Sequence, residues 1–318
     1  MFTIHNIEYQ GWAHPYFLGD VLGLSNDYES RFSYNGSINF LKGAILDCDA
    51  ITTVSRSYAA EICEEYFAHG LADIISEHSF KLRGIVNGID VKRNDPVSDP
   101  TIVRNYCADD FSLGKAECKA ELQRELGLPT ESEVLMIGIV SRLVGHKGFD
   151  IICDAIDEIL SLGVQLVVLG TGEREYEERL RSAKARYPQK LSVNLEFSTA
   201  LASRIYAASD VYLMPSKSEP CGLSQLLAMR YGSVPIVHET GGLKDTVIPF
   251  NNISKEGVGF TFQSFSKDDM LDAICRALEV YSKDKETWKR IVYNGMTSEL
   301  SWKESSEEYM RLYEELKK

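Results

Sequence analysis

From residue 134 onward, short β-branched apolar runs alternate with stretches whose apolar residues recur every three or four positions, and this alternation limits the fold more than any other feature. Val134 to Val140 reads as a strand, and Phe149, Ile152, Ile156 and Ile159 then fall on one face at helical spacing. A strand at Val164 to Leu169, a helix from about Glu173 to Ala185, a strand near Leu191 to Phe197 and a short helix around Ala200 to Ala208 follow. A strand at Val211 to Met214, a helix from Gly222 to Tyr231 and a strand at Val234 to Val237 complete the series. Strands joined by helices of this length need right-handed crossovers and give a parallel sheet covered on both faces. The fold class is α/β, with a complete doubly wound, Rossmann-like domain in this part of the chain.

The first ninety residues hold fewer such elements. Ile51 to Val54 and Gly84 to Val86 read as strands of the same kind with helical material between them, too few for a closed sheet, so this segment is expected to be part of a second domain. Turn residues become dense from Asn94 to Pro100 and mark a boundary. The expected organisation is residues 1–93, then 94–301, then a terminal helix over 302–318 with Tyr309, Leu312, Tyr313 and Leu316 on one stripe. With 318 residues, 44% of them hydrophobic, the chain is long enough for two cores.

The formal charge of −13 repels a phosphate backbone as a whole, so nucleic acid is excluded as a partner, while a small polyanion needs only a few local cations. The apolar runs are strand-sized and far short of the roughly 20 residues that cross a bilayer, so no membrane span is expected. Met1 to His5 has neither the basic nor the apolar region of an export signal. The seven cysteines, odd in number and without a C-x-x-C pair, read as reduced, cytosolic and buried as small hydrophobes, with Cys221 alone inside a motif.

Ligands of an open parallel sheet bind outside the carboxyl ends of its strands, and three loops there carry unusual residues. After the strand ending at Val140, Ser141-Arg-Leu-Val-Gly-His-Lys-Gly148 puts Arg142 and Lys147 where a helix begins. They form an anion site, helped by the helix dipole, or they are two solvated loop cations. After Met214, Glu219-Pro-Cys-Gly-Leu-Ser224 runs into a helix. Glu219 accepts hydrogen bonds from vicinal sugar hydroxyls, with the free amides of Gly222, Leu223 and Ser224 turned to a phosphate, or it is an exposed loop acid. After Val237, Thr240-Gly-Gly-Leu243 allows close backbone approach to a ligand, or is simply a turn.

Gly170-Thr-Gly172 also follows a strand, but Glu175 stands where a dinucleotide fingerprint has its third glycine, so a nicotinamide or flavin site is rejected. No cluster has metal-ligand spacing, and no metal or other cofactor is expected. The histidines at 14, 69, 78 and 238 read as structural or surface residues.

Taken together, these residues resemble the bacterial glycogen synthases and plant starch synthases, retaining glucosyltransferases of the GT-B fold. The likeness is carried by Thr3-Ile-His-Asn6, Asn39 to Ile45, Thr52-Thr-Val-Ser55, Ile85-Val-Asn-Gly-Ile-Asp90, Ser141-Arg142 with Lys147-Gly148, Glu219-Pro-Cys-Gly-Leu223 and Thr240-Gly-Gly-Leu243. It implies that ADP-glucose lies between two Rossmann-like domains as a substrate and that glucose passes to the nonreducing end of an α-1,4-glucan. It further implies that Arg142 and Lys147 stabilise the leaving diphosphate, that Glu219 holds the donor glucose, and that the amides of Cys221, Gly222, Leu223 and Ser224 and of Gly241, Gly242 and Leu243, after Thr240, lie beside it. His5 would contact the sugar from the opposite domain and Asn87 would line the cleft. Without the resemblance, His5 reads as a core histidine in an apolar strand. The family's setting is the cytoplasm, or the plastid stroma in a plant or alga.

The sequence also departs from the family. It lacks the Lys-x-Gly-Gly-Leu loop of the family's first domain, of which roughly 150 residues are expected to be absent. Leu227 stands where many retaining GT-B enzymes have a second Glu, Ser218 where an aromatic is usual and Arg93 where a Trp is usual. The alternatives are an inactive nucleotide-sugar- or glucan-binding fragment of such an enzyme and a sugar phosphorylase of similar fold, for which no sequence signal exists. ADP-glucose against UDP-glucose is left open.

Overall fold

The computed structural model describes residues 1–317. They form two compact units, Met1–Asn87 with the C-terminal helix, and Gly88–Trp302. The expected boundaries at 93/94 and 301/302 differ from these, and the turn-rich Asn94–Pro100 lies inside the second unit.

The first unit opens with β1 (Phe2–Ile4) and β2 (Trp12–Ala13), then α1 (Phe17–Asp20), α2 (Glu29–Phe32), β3 (Ser33–Tyr34) and β4 (Ser37–Asn39). It continues with α3 (Phe40–Asp47), β5 (Ile51–Thr53), α4 (Arg56–Glu61), α5 (Ala72–Glu77) and β6 (Leu82–Gly84). Parallel strands β1, β5 and β6 make one small sheet, and β2, β4 and β3 an antiparallel one. Asn39 and Ser55 are the N-caps of α3 and α4, each side chain accepting a backbone N–H three residues on, which explains a polar residue at those positions of the two motifs. Strand β6 is Leu82–Gly84 rather than the expected Gly84–Val86, and Gly84 must be glycine because a side chain there would overlap the main chain of Ser55.

The helix Lys303–Leu316 packs on this unit: Leu312 joins Ala50 and Ile85, Ser305 Oγ donates to Val86 O, and Arg56 pairs with Glu308 at 2.6 Å. Its expected stripe is only half used. Leu312 is buried with Tyr309 beside it, whereas Tyr313 and Leu316 are exposed.

In the second unit, α6 (Phe111–Glu125) precedes β7 (Met136–Val140), α7 (Phe149–Asp154), α8 (Ile156–Ser161), β8 (Gln165–Leu169), α9 (Arg174–Arg186), β9 (Leu191–Asn194) and α10 (Thr199–Ala208). Then come β10 (Val211–Met214), α11 (Ser224–Arg230), β11 (Val234–His238), α12 (Gly241–Thr246), β12 (Phe260–Phe262), α13 (Lys267–Lys283) and α14 (Lys285–Thr297). The six strands are parallel in the order β12-β11-β10-β7-β8-β9. Nearly every residue of β8, β10 and β11 is apolar and buried, as a sheet covered by helices on both faces requires. The helix expected over Phe149–Ile159 is two, broken at Ala155, and both pieces keep the buried face.

Two buried lysines pin the amino ends of the strands. Lys119 Nζ pairs with Asp210 Oδ2 at 2.6 Å, and Asp210 in turn accepts the N–H of Met136. Lys115 Nζ donates to Ala207 O and Tyr231 O at 2.9 and 3.1 Å, where α10 and α11 end. Of the seven cysteines, all free, only 118, 153 and 221 are buried; 48, 63 and 107 are half-buried and 275 is exposed, which corrects the expectation that all fill the core.

Candidate donor site at the switch point of the sheet

The chain runs outward from β7 through β8 to β9, then returns to place β10 on the other side of β7. Between β7 and β10 the order reverses, and the loops leaving their carboxyl ends diverge to open a crevice. Those loops are Ser141–Gly148 and Pro215–Leu223, two of the three singled out by sequence, and the third follows the neighbouring β11.

The first loop does not enter its helix directly. Gly145–Lys147 makes a 3₁₀ turn and Gly148, at φ +83°, leads into α7. A Cβ at Gly148 would stand 2.2 Å from Pro215 O, so glycine is required both by the left-handed backbone and by contact with the second loop. The N–H of Lys217 donates to His146 O at 2.9 Å across the same contact. This pairing carries Lys147 to Glu219: Nζ lies 2.5 Å from Oε2, and Ser216 Oγ donates to the same oxygen at 3.1 Å. Glu219 is 6% exposed and is therefore no exposed loop acid. Arg142 is exposed, and its guanidinium makes no hydrogen bond or ion pair among the described residues.

The paired glycines serve the protein's own backbone. Side chains at Gly241 and Gly242 would come within 2.0 Å of Glu219 O and Cys221 O, and Gly242 N donates to Glu219 O at 3.0 Å. The third loop thus buttresses the second, with Thr240, Gly241, Gly242 and Leu243 all buried. Gly170–Gly172 does the same for the first: Leu143 N donates to Thr171 O and Glu173 N to Leu143 O.

Helix α11 begins at Ser224 with Leu223 as N-cap, not at Gly222, which is held at φ +69°, outside the helical region. Gln225 Nε2 donates to Cys221 O and Gly222 O and turns those carbonyls back toward the helix. Leu223 is exposed, whereas Cys221 and Gly222 are buried.

His5 and Asn87 belong to the first unit. His5 follows β1 in a bend and is exposed without a hydrogen-bond partner among the described residues, so it is not the core histidine that its apolar neighbours suggested. Asn87 is half-buried after β6 and likewise has no side-chain partner among the described residues.

Sequence patterns missed Phe197. Strand β9 ends at Asn194, three residues before the expected end, and leaves this ring 91% exposed on the same rim. A large aromatic stranded in water on this rim is suited to stacking on a planar ligand. Lys115 shows the opposite: burial pushes its ammonium down to about 8, a value that suggests catalysis, yet its contacts are helix carbonyls at the far rim. Among the described residues no group of three or more His, Cys, Asp or Glu could hold a metal ion, and no helix is long and apolar enough to cross a membrane.

Comparison with known proteins adds to this geometry. The family described as starch synthase catalytic domain matches residues 1–77, and glycosyl transferases group 1 matches residues 119–296. Glycogen synthases of Streptococcus mutans and Streptococcus uberis are 46% and 48% identical over 99% and 100% of this chain. The chain covers 67% and 66% of those two proteins, about two thirds of their length. The catalytic domain of Starch Synthase IV from Arabidopsis thaliana, bound to ADP and acarbose, superposes with a TM-score of 0.92 at 37% identity, over 99% of this chain and 66% of that one.

Proposed function

The chain belongs to the glycogen and starch synthase family of glycosyltransferases, and from that premise we propose that it transfers glucose from ADP-glucose to the nonreducing end of an α-1,4-glucan with retention of configuration. The observation that carries this reading is the meeting of Lys147 with Glu219 at the switch point, beside the unpaired Arg142. Cations for a diphosphate and a carboxylate for sugar hydroxyls are the two halves of a sugar-nucleotide site.

Arg142 grips phosphate oxygens in a fork while Lys147 supplies a point charge, and both stabilise the negative charge that grows on the diphosphate as it leaves. Glu219 orients the glucose beside the backbones of residues 221–224, and its own main chain is held by residues 240–243. The acceptor's 4-hydroxyl oxygen bonds to the anomeric carbon on the face that the phosphate leaves, the bond from that carbon to the phosphate oxygen breaks, and the hydroxyl proton passes to the departing phosphate. Phe197 stacks on the base. ADP-glucose is a substrate in this scheme, no cofactor takes part, and the setting is the cytoplasm or a plastid stroma.

Purified chain, labelled ADP-glucose and a glucan primer test the proposal: incorporation as an α-linkage, lost in Arg142→Ala, is expected. A β-linked product overturns the stereochemistry, and ADP-glucose that neither binds nor reacts overturns the reading. The placement of Arg142, Lys147 and Glu219 together within Gly88–Trp302 supports a second reading, donor binding without transfer. A rise in unfolding temperature with ADP-glucose and no incorporation would single it out.

A further inference from the structure

His238 ends β11 at the head of the third loop and is buried, and the scheme above gives its imidazole no task. Both ring nitrogens face main-chain carbonyls, Nδ1 at 2.8 Å from Ser216 O and Nε2 at 3.1 Å from Gln263 O. A carbonyl oxygen only accepts, so each contact is a hydrogen bond only when that nitrogen carries a proton, and a neutral imidazole carries just one. Both bonds together require the imidazolium. Phe262 and Phe265 pack on the ring at centroid distances of 5.4 and 5.6 Å and fix its plane.

One carbonyl belongs to the loop that carries Glu219, the other to the segment after β12. Ser216, gripped through its carbonyl, donates its hydroxyl to Glu219 Oε2. Ionisable groups on the adjoining segments are Lys217 and Glu219 on the second loop, the latter paired with Lys147, and Glu239 beside the ring, whose Oε1 accepts from Thr261 Oγ1. Residues 260–266 carry none, and of the helices packed on β11 and β12, α12 brings Lys244 and Asp245 and the first turn of α13 brings Lys267, Asp268 and Asp269.

We propose that His238 is a positioning residue, a doubly donating imidazolium that straps the Glu219 loop to the end of β12 and so supports donor affinity. The consequence for affinity rests on the donor-site reading of Glu219. The protonation state does not.

Two measurements on the full chain test it. The first is nitrogen NMR of histidine-labelled protein, with the His238 signals assigned by their loss in His238→Arg; both ring nitrogens are expected to be protonated, and a single neutral tautomer overturns the proposal. The second is ADP-glucose affinity of two variants. His238→Arg, with several N–H donors and a permanent charge, should keep the wild-type affinity, whereas His238→Asn should weaken it by on the order of tenfold. An Arg variant that loses affinity overturns the strap, even where the Asn variant fails to fold. A doubly protonated ring in a protein that binds no ADP-glucose would uphold the strap and sink the donor-site reading instead.

Discussion

Lys147 Nζ and Glu219 Oε2, 72 residues apart in the chain, meet at 2.5 Å with most of both side chains out of water. On the proposed reading, a donor diphosphate competes with a carboxylate for this lysine. Removing one member strands the other: Lys147→Ala should lower the unfolding free energy by about 3 kcal/mol in urea titration, and Glu219→Gln by less, because a buried carboxylate without its cation is the costlier remnant. The double variant should lose less than the sum of the two. An unchanged Lys147→Ala would mean that water already screens the pair.

Gly148→Ala places a methyl group against Pro215 O and forces a left-handed alanine, which costs about 1–2 kcal/mol before the clash is counted. Denaturant midpoints should fall accordingly. ADP-glucose affinity should fall with them, because the two loops that bring Lys147 to Glu219 are pushed apart.

Phe197→Ala should leave the unfolding temperature of the free protein unmoved, since the ring packs on almost nothing. Base stacking on an aromatic is worth about 1–3 kcal/mol, so ADP and ADP-glucose should both bind more weakly by calorimetry. Equal affinity in the variant would remove Phe197 from the site.

Burial raises the Asp99 carboxyl, but hydrogen bonds from the Thr101 hydroxyl and backbone and from Tyr231 outweigh it and hold the group below the usual aspartate range. The unfolded chain therefore binds the proton more readily than the folded one. The stability this supplies is present above about pH 4 and is lost as pH falls through the depressed value. Asp99→Asn should flatten the acid limb of a stability-versus-pH curve.

Thiol labelling at pH 8 should modify Cys275 first, being exposed. Cys153 should follow only on unfolding, because burial pushes its thiol up to about 11 and leaves little thiolate. Early labelling of Cys153 would show that α7 opens locally.

How far the sequence could be read follows from which forces are local. Strand β10 was legible to the residue, because a four-residue apolar run has one way to be buried on both faces. Ser141–Gly148 and Pro215–Leu223 were legible as rim loops because parallel topology puts every such loop at one edge. The role of the glycines was not. Gly241 and Gly242 suggested approach by a ligand, but the approaching atoms are Glu219 O and Cys221 O, 22 and 21 residues away in the chain. The same limit hid the start of α11 at Ser224, which depends on Gln225 turning back two carbonyls. His5 looked internal from its apolar neighbours, but it falls one residue beyond the strand that would have buried it.

The helix Lys303–Leu316 packs with Ala50 and Ile85, although all of Gly88–Trp302 lies between them in the chain. On the ribosome, residues 303–316 emerge after all of Gly88–Trp302, so Ala50 and Ile85 lack this cover while the six-stranded sheet already has every residue it needs to fold. Chaperones that hold apolar surface during synthesis would meet the chain at Ala50 and Ile85, and release there would wait for Leu312.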